Sequence, residues 1–400
     1  MARKPRRDLT IDEQLARGPL DLPFLMLVLL LTGVGFIMMF SASYASALYD
    51  ADIANPLHYA RRQILFVVLG VAAMYIISKM NYRYFAPLAP FAIFASEILL
   101  LLVFTPLGRS NYDARRWLRL GPLSFQPSEI AKIAVILYFA ARLSRDPEPL
   151  KRYSRRTYTG TFLNWLQDLG IMELVPYGAV LLAVLIPVVF EPHMSGTILI
   201  IIGAAAVLFV GGIPIKWFLL GGGAMAAGLW FIITNTTYMT ARINLWQDPW
   251  IDPLGDGYQT IQSLLAIASG GLFGLGLGKS IQKHDYIPEP ENDFVFSIVV
   301  EELGFVGGVF VLVLFALLIL RGYWLALHAR EKFGTLTIVG IITLLAAQVF
   351  LNIGVVTNLI PNTGIPLPFF SSGGTALMIH LGEMGIVLSV SRQIPAPKND

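Results

Sequence analysis

Apolar residues fall in long, nearly unbroken runs along this chain, and polar residues gather between them. Many runs hold about 18–22 residues, the length of helix that crosses ~30 Å of hydrocarbon at ~1.5 Å per residue. The pattern predicts ten spans, at 23–43, 63–80, 85–105, 127–144, 171–190, 195–211, 214–233, 295–320, 335–357 and 372–391. Each is expected to be helical, because a backbone group in lipid must find its partner within its own segment. The connection 234–294 is too rich in Gly, Pro and charge to span, yet its "YQTIQSLLAIASGGLFGLGLG" is too apolar for a solvated loop. It reads as short amphipathic helices along the membrane surface, with a re-entrant pair as the alternative. The expected fold is an all-α polytopic membrane protein. It has a basic tail over 1–22, a ten-span domain over 23–391 and a second tail over 392–400, with 234–294 as its one long external loop between spans seven and eight.

The run "PFLMLVLLLTGVGFIMMF" precedes "SASYASA", which imitates a cleavable signal. The run is too long for the apolar part of a signal peptide, and the 22-residue tail before it is too long for the charged part, so a first span is preferred. Only 14% of the 400 residues are charged and 56% are hydrophobic; a soluble domain carries about 25% charged residues. With ten spans, about 19 of the Lys and Arg residues fall on one side and about nine on the other. That asymmetry puts both termini in the cytoplasm and 234–294 outside. The net charge of +3 is then an orientation signal and gives no reason to expect nucleic acid. Cysteine is absent, which excludes disulfides and thiolate metal sites, and the five histidines form no zinc-type pair.

One outer loop runs against the charge bias. "GRSNYDARRWLRLGPLSFQPSE" carries Arg109, Arg115, Arg116 and Arg119. These either snorkel to headgroups or form an anion site, for which the bidentate guanidinium is well suited. A second anomaly is "PEPENDFVFSIVVEELG", which sets Glu289, Glu291, Asp293, Glu301 and Glu302 where a span begins. A helix starting near Asp293 would align Asp293, Ser297 and Glu301 on one face. Asp293 then reads equally as a helix N-cap or as a general base at the interface. The deeper acids should face a cavity or a cation, since a charge at membrane depth costs roughly 2.5–3.5 kcal/mol or more. Glu129 and Lys132 sit three residues apart in the fourth span. They either pair with each other, or Lys132 pairs with Glu301 or Glu302 and shapes the cavity. Glu97 and Glu383 are further intramembrane acids without evident partners.

Three other segments were weighed. "LIPNTGIPLPFFSSGGTALM" cannot be regular helix and must line a cavity or lie within protein. It reads as a plain turn, or as an anion site on the backbone N–H groups of Ser372 to Thr375. "GLFGLGLGKS" lacks the spacing of a phosphate loop. Asp248, Asp252 and Asp256 recur every four residues without the EF-hand pattern, so an ordered turn framed by Trp246 and Trp250 is preferred. Those indoles suit headgroups or sugar faces.

Taken together, "ARRWLRLGPLSFQPSEIAK", "DPLGDGYQTIQSLLAIASGGLFGLGLGKS", "PEPENDFVFSIVVEELG" and "PNTGIPLPFFSSGG" resemble the signatures of the SEDS family, the shape, elongation, division and sporulation proteins. The resemblance covers nearly the whole chain after the tail, and "GLGKSIQKHDYIPEPENDF" is closer to the division and sporulation members than to the elongation member. It implies a peptidoglycan glycosyltransferase that joins lipid II units at the outer face of the membrane and releases undecaprenyl pyrophosphate. It implies a class B penicillin-binding protein as transpeptidase partner, beside division proteins and membrane lipid. The family's essential acid falls on Asp293, and its A-R-R-W residues on Arg115, Arg116 and Trp117. On this basis Asp293 is the expected base. Arg115, Arg116, Trp117 and Arg242, with Ser371, Ser372 and Gly373, are the expected substrate and pyrophosphate contacts. Glu129, Lys132, Ser297, Glu301 and Glu302 are expected to support the cavity. A single carboxylate fits one inverting displacement better than a double one. A divalent cation, Mg or Mn, could assist the pyrophosphate, but no ligands are assigned to it. The chain departs from the family where the acidic P-D-x-G-T reads "EPHMSGT", where S-Y-G-G-S has Ser372, and at Thr363. The alternative function is a lipid II flippase, although no internal repeat of the transporter kind is apparent.

Overall fold

The structure, a computed structural model, describes residues 18–49, 55, 57–111, 114–120, 123–145, 164, 167, 170–191, 193–235, 237–284 and 286–393. The helices are α1 (Leu22–Tyr49), α2 (His58–Lys79), α3 (Phe85–Leu102), α4 (Pro127–Leu143), α5 (Ile171–Phe190), α6 (Met194–Val210), α7 (Ile215–Asn235), α8 (Thr237–Gln247), α9 (Tyr258–Ser269), α10 (Val295–His328), α11 (Lys332–Val356) and α12 (Gly374–Ser391). A helix occupies each of the ten predicted stretches. Among the described residues, α1, α2, α3, α5, α10, α11 and α12 are long and apolar enough to cross a membrane by length and composition. The basic tail 1–17, the basic loop 146–163 and residues 394–400 lie outside the described residues.

Packing follows residue size. α1 runs six residues past its predicted end because "SASYASALY" is rich in small residues, and Ala42, Ala45 and Ala47 are fully buried. α2 packs most extensively on α12, α3 on α4, and α10 on α11. α4 and α11 also pack on each other and both on α6, which puts the polar residues of α4 in the protein interior. Pro127 sits in the first turn of α4, where its missing N–H costs no helix bond.

Two features correct the all-α expectation. The segment 108–125 is an antiparallel three-stranded sheet, β1 (Gly108–Asn111), β2 (Ala114–Leu120) and β3 (Leu123–Phe125), with a register shift between Arg109 and Ser110. Its physical reason is the alternation within "ARRWLRL": Leu118 turns inward and is buried, while Arg115 and Arg119 on the opposite face are exposed. α10 also differs from the single predicted span. Its backbone breaks at Gly304 (φ 73°, ψ −175°), so a short helix over 295–303 precedes the long apolar one.

The break is sealed by the loop after α9. Leu275 N donates to Glu301 O (2.9 Å) and Gly276 N to Glu302 O (3.0 Å), while Phe305 N donates to Gly271 O (2.8 Å) and Val306 N to Leu272 O (3.1 Å). Four backbone groups freed by the kink are thereby satisfied, as a low-dielectric setting requires. A Cβ on Gly304 would stand 2.3 Å from Gly274 N and 2.4 Å from Leu272 O, on a backbone that L side chains rarely adopt. Gly304→Ala is therefore expected to unseat this loop and lower the melting temperature by several degrees, whereas Gly223→Ala, on open surface, should not. Scanning fluorimetry in detergent distinguishes the two, and equal melting temperatures would contradict the seal.

Candidate active site

Two irregular segments meet on the side of the helices where α10 begins and α11 ends. The first is 286–294. Its prolines and the positive φ of Glu289 (46°) form a tight turn, closed by Asn292 N on Glu289 O (3.0 Å). The second is 357–373. They are bonded together at three places. Ser372 N donates to Glu291 O (2.7 Å). Asn352, buried in α11, donates from its one amide nitrogen to Asp293 O (2.8 Å) and Ile365 O (2.7 Å). Gln259 of α9 donates to Pro288 O (3.3 Å) and accepts from Asn362 Nδ2 (3.2 Å).

Asp293 lies at this junction. α10 begins at Val295 with Phe294 in the N-cap place, so the capping role is not seen. The Asp293 side chain keeps partial solvent access although protein surrounds it. Its Oδ2 lies 3.2 Å from where a Cβ of Gly364 would be, so Gly364 (φ 64°) leaves open space against the carboxylate. Burial pushes its pKa up to about 6, helped by the negative charge of Glu289 and opposed by Arg116. Glu291 is pushed up to about 7, chiefly by burial and by Glu289, against its hydrogen bonds.

The sheet brings one arginine inward. Arg116, on the same face of β2 as Leu118, donates from Nε to Glu191 O (3.4 Å) and acts electrostatically on Asp293, Glu191 and His193. Arg115 is exposed and Trp117 partly so. β3 is tied to α12 by Thr375 Oγ1 on Ser124 O (3.0 Å). Arg242 belongs to α8, and its side chain lies outside the described ones. Trp246 Nε1 donates to Asn358 O (3.1 Å) and buttresses the second segment, and Trp250 is exposed. Asp248 and Asp252 accept backbone N–H groups of their own turn.

Several expected cavity residues have other duties. Lys132 pairs with Glu129 (2.7 Å), both buried in α4, and not with Glu301 or Glu302. Because α10 bends at Gly304, those two acids meet the returning loop. Glu302 pairs with buried Lys283 (2.9 Å) and accepts from Ser41 Oγ of α1 (2.7 Å). Glu301 accepts from Ser280 Oγ and from Ile281 N (2.9 Å). Ser297 turns its hydroxyl to Phe294 O (2.6 Å) and is fully buried. Ser371 is buried too, its Oγ accepting from Leu367 N (2.7 Å). With Ser372 N already bonded to Glu291 O, the expected anion cradle retains the backbone N–H groups of Gly373, Gly374 and Thr375 at the start of α12, with Gly373 in the N-cap place and partly exposed. Among the described residues no group of three or more His, Asp or Glu converges on a metal position.

Sequence reasoning missed a polar cluster behind Arg116. His193, at the start of α6, contacts Ser128 Oγ (3.2 Å) and Gln126 Nε2 (3.3 Å) from the start of α4. Burial and the nearby positive charge of Arg116 hold its pKa down to about 3, so it is neutral. His380 Nδ1 lies 3.0 Å from Glu383 Oε2 within α12 and gives that acid its partner. Glu191 is buried, and among the described residues neither of its carboxyl oxygens has a hydrogen-bond partner. Burial raises its pKa to about 8 against the pull of Arg116. The signal available was the departure "EPHMSGT" itself, in which His193 and Met194 replace the family's pattern beside Glu191.

The neutral form of Glu191 implies a pH effect. The folded protein keeps a proton that the unfolded chain releases between the ordinary carboxylate range and about pH 8, so this residue erodes stability as pH rises through that window. Glu191→Gln should gain melting temperature over the natural chain at pH 8, by at least about 2 °C, and show little gain near pH 4.5. A gain independent of pH would refute the assignment.

A bundle of apolar helices, seven of them among the described residues long and apolar enough to cross a membrane, with a carboxylate in the field of an arginine at one end, defines a polytopic membrane protein. The chain belongs to the family that joins FtsW, RodA and SpoVE, described as cell cycle proteins, whose model it matches over residues 22–395. It is 39% identical over 374 residues to stage V sporulation protein E of Bacillus subtilis, covering 93% of this chain and 97% of that one. It is 37% identical to the probable peptidoglycan glycosyltransferase FtsW of Geobacter metallireducens, covering 94% and 95%. Among solved structures it resembles a chain of a peptidoglycan synthase complex that coordinates polymerization and crosslinking (TM-score 0.74, 30% identity, 95% and 99% covered). It also resembles the rod shape determining protein RodA of Thermus thermophilus (TM-score 0.64, 30% identity, 94% and 98% covered).

Proposed function

We propose that this chain is a peptidoglycan glycosyltransferase of the cytoplasmic membrane, acting in cell division or sporulation. The observation that carries the reading is Asp293: a partly accessible carboxylate with a pKa near 6, at the seam of two cross-bonded segments and within the field of Arg116. The donor and acceptor are lipid II. Asp293 takes the proton from the acceptor sugar's 4-hydroxyl as its oxygen attacks the donor's anomeric carbon. The bond to pyrophosphate breaks with inversion, and undecaprenyl pyrophosphate leaves with the electron pair. Arg116 stabilises the developing negative charge from the inner face of β2; Arg115, Trp117 and Gly373 extend the contact surface, and Arg242 remains a candidate.

Ten spans with both termini cytoplasmic would put this site on the extracellular side, where its substrate is presented. A class B penicillin-binding protein is the proposed partner; the similarity to a synthase complex that couples polymerization to crosslinking supports it. A flippase is not favoured, because the acid–arginine pair sits at one end of the helices and not at a midplane gate. Labelled lipid II supplied to the purified chain with its partner should give glycan ladders. Movement of the lipid across vesicles without any polymer would instead favour the flippase.

A further inference from the structure

The opposite end of the molecule holds a second feature, which rests on the membrane setting alone and not on the proposed chemistry. Near the start of α1 and the ends of α2 and α12, a cavity of about 520 Å³ opens between helices. Its walls are almost wholly apolar and include Leu25 and Leu29 of α1, Val68 and Ala72 of α2, and Leu388 of α12. The volume is within the roughly 300–1,000 Å³ typical of small-ligand sites. Its walls are half open, with Val68 60% and Leu29 37% exposed, so the opening faces what surrounds the bundle.

Two cations stand at its polar edge. Tyr75, a lining residue, has the Lys79 ammonium 4.9 Å from its ring centroid, and the positive charges of both Lys79 and Arg392 reach its phenol. Arg392, one helical turn beyond the lining residue Leu388, is partly exposed and is held by its Nε on Gly18 O (3.0 Å). A cation at a helix C-terminus is favourable without any ligand. An apolar cavity with two cations at its edge is nevertheless complementary to one kind of molecule, a chain with an anionic head.

We propose that this cavity is a binding site for an anionic phospholipid of the leaflet on the side where α1 begins. One acyl chain fills the space between α1 and α2, and the phosphate accepts from the Arg392 guanidinium and the Lys79 ammonium. By the distribution of Lys and Arg this is the cytoplasmic leaflet, whose surface is anionic.

The test is native mass spectrometry of the full chain released from micelles with equimolar phosphatidylglycerol and phosphatidylcholine. Phosphatidylglycerol should be retained with a preference of roughly tenfold or more, as two basic contacts allow. Lys79→Gln with Arg392→Gln should bring the preference close to one. Ala72→Trp keeps both charges but fills the cavity, and should reduce retention of either lipid; it guards against a trivial loss of folding in the charge variant. Inorganic phosphate at millimolar concentration should displace nothing. Equal retention of the two lipids by the natural chain, or an unchanged preference in the charge variant, would overturn the proposal. So would displacement by phosphate, or a photo-cross-linker at position 72 that captures a partner's helix in place of lipid.

Discussion

Asp293→Ala is expected to lower glycan polymerisation by roughly 10²–10⁴-fold, the usual share of a positioned general base. The variant should still fold, because the carboxylate carries none of the bonds that hold the seam: Asn352 is bonded to the main-chain oxygen of residue 293, and Ser372 to that of Glu291. Binding of the lipid-linked substrate should survive, so the loss belongs in turnover. The natural chain adds a second test. A base must be ionised to accept a proton, and burial holds Asp293 up to about pH 6. Single-turnover rates should therefore rise with pH through about 6 and level off above it. A flat profile between pH 5 and 8, or glycan ladders persisting in Asp293→Ala, would remove Asp293 from the mechanism. The alanine variant and the pH profile fail independently: ladders lost in the variant alongside a flat profile would leave an essential residue that is not the base.

The helices were legible because the apolar runs are long enough to cross a bilayer and a backbone in lipid must bond within its own segment. Each predicted stretch carries a helix; α1 runs on through the buried Ala45 and Ala47, and α10 runs on past 320 to His328. The acid at 293 was legible because a carboxylate at an apolar boundary is costly enough to be conspicuous. The sheet was less so: "ARRWLRL" alternates over only seven residues, too few to outweigh the expectation set by helices around it.

The pairing of charges could not be read from spacing at all. Along a straight helix Glu301 would sit about 12 Å below Asp293 at ~1.5 Å per residue, in reach of Lys132. Residues 295–303 stay helical, so that spacing survives; the loop packed against the break at Gly304, just beyond the two acids, delivers Lys283 and the N–H groups of 280–282 to them first. Gly304 showed no warning in sequence, because a glycine in a membrane helix is ordinary. Gln259 and Asn352, which join the two segments of the site, were equally silent: single amides have no pattern, and their role appears only once the chain is folded.

Lys283→Met should destabilise the protein by about 3–5 kcal/mol, the range for removing one partner of a buried pair. Lys283 is 3% and Glu302 0% exposed, so the remaining carboxylate would lie uncompensated in the interior. The ammonium also donates to Gly278 O (2.7 Å) and Ser41 Oγ (3.2 Å), so one substitution loosens the loop, α1 and α10 together. Adding Glu302→Gln should recover much of the loss, because a neutral amide needs no counter-charge and can still meet Ser41 and Ser280 N, which now bond the carboxylate. The recovery separates a penalty for an orphaned charge from a simple loss of packing, which the second substitution could not repair. Denaturation of the single and double variants in micelles measures both values. The consequence reaches the site, since residues 284–293 hang between this clamp and the start of α10: the single variant should polymerise more slowly even at temperatures where it stays folded. A Lys283→Met protein within about 0.5 kcal/mol of the natural chain would place the pair among exposed, weakly coupled ones, and would leave the Gly304 break without the anchor described for it.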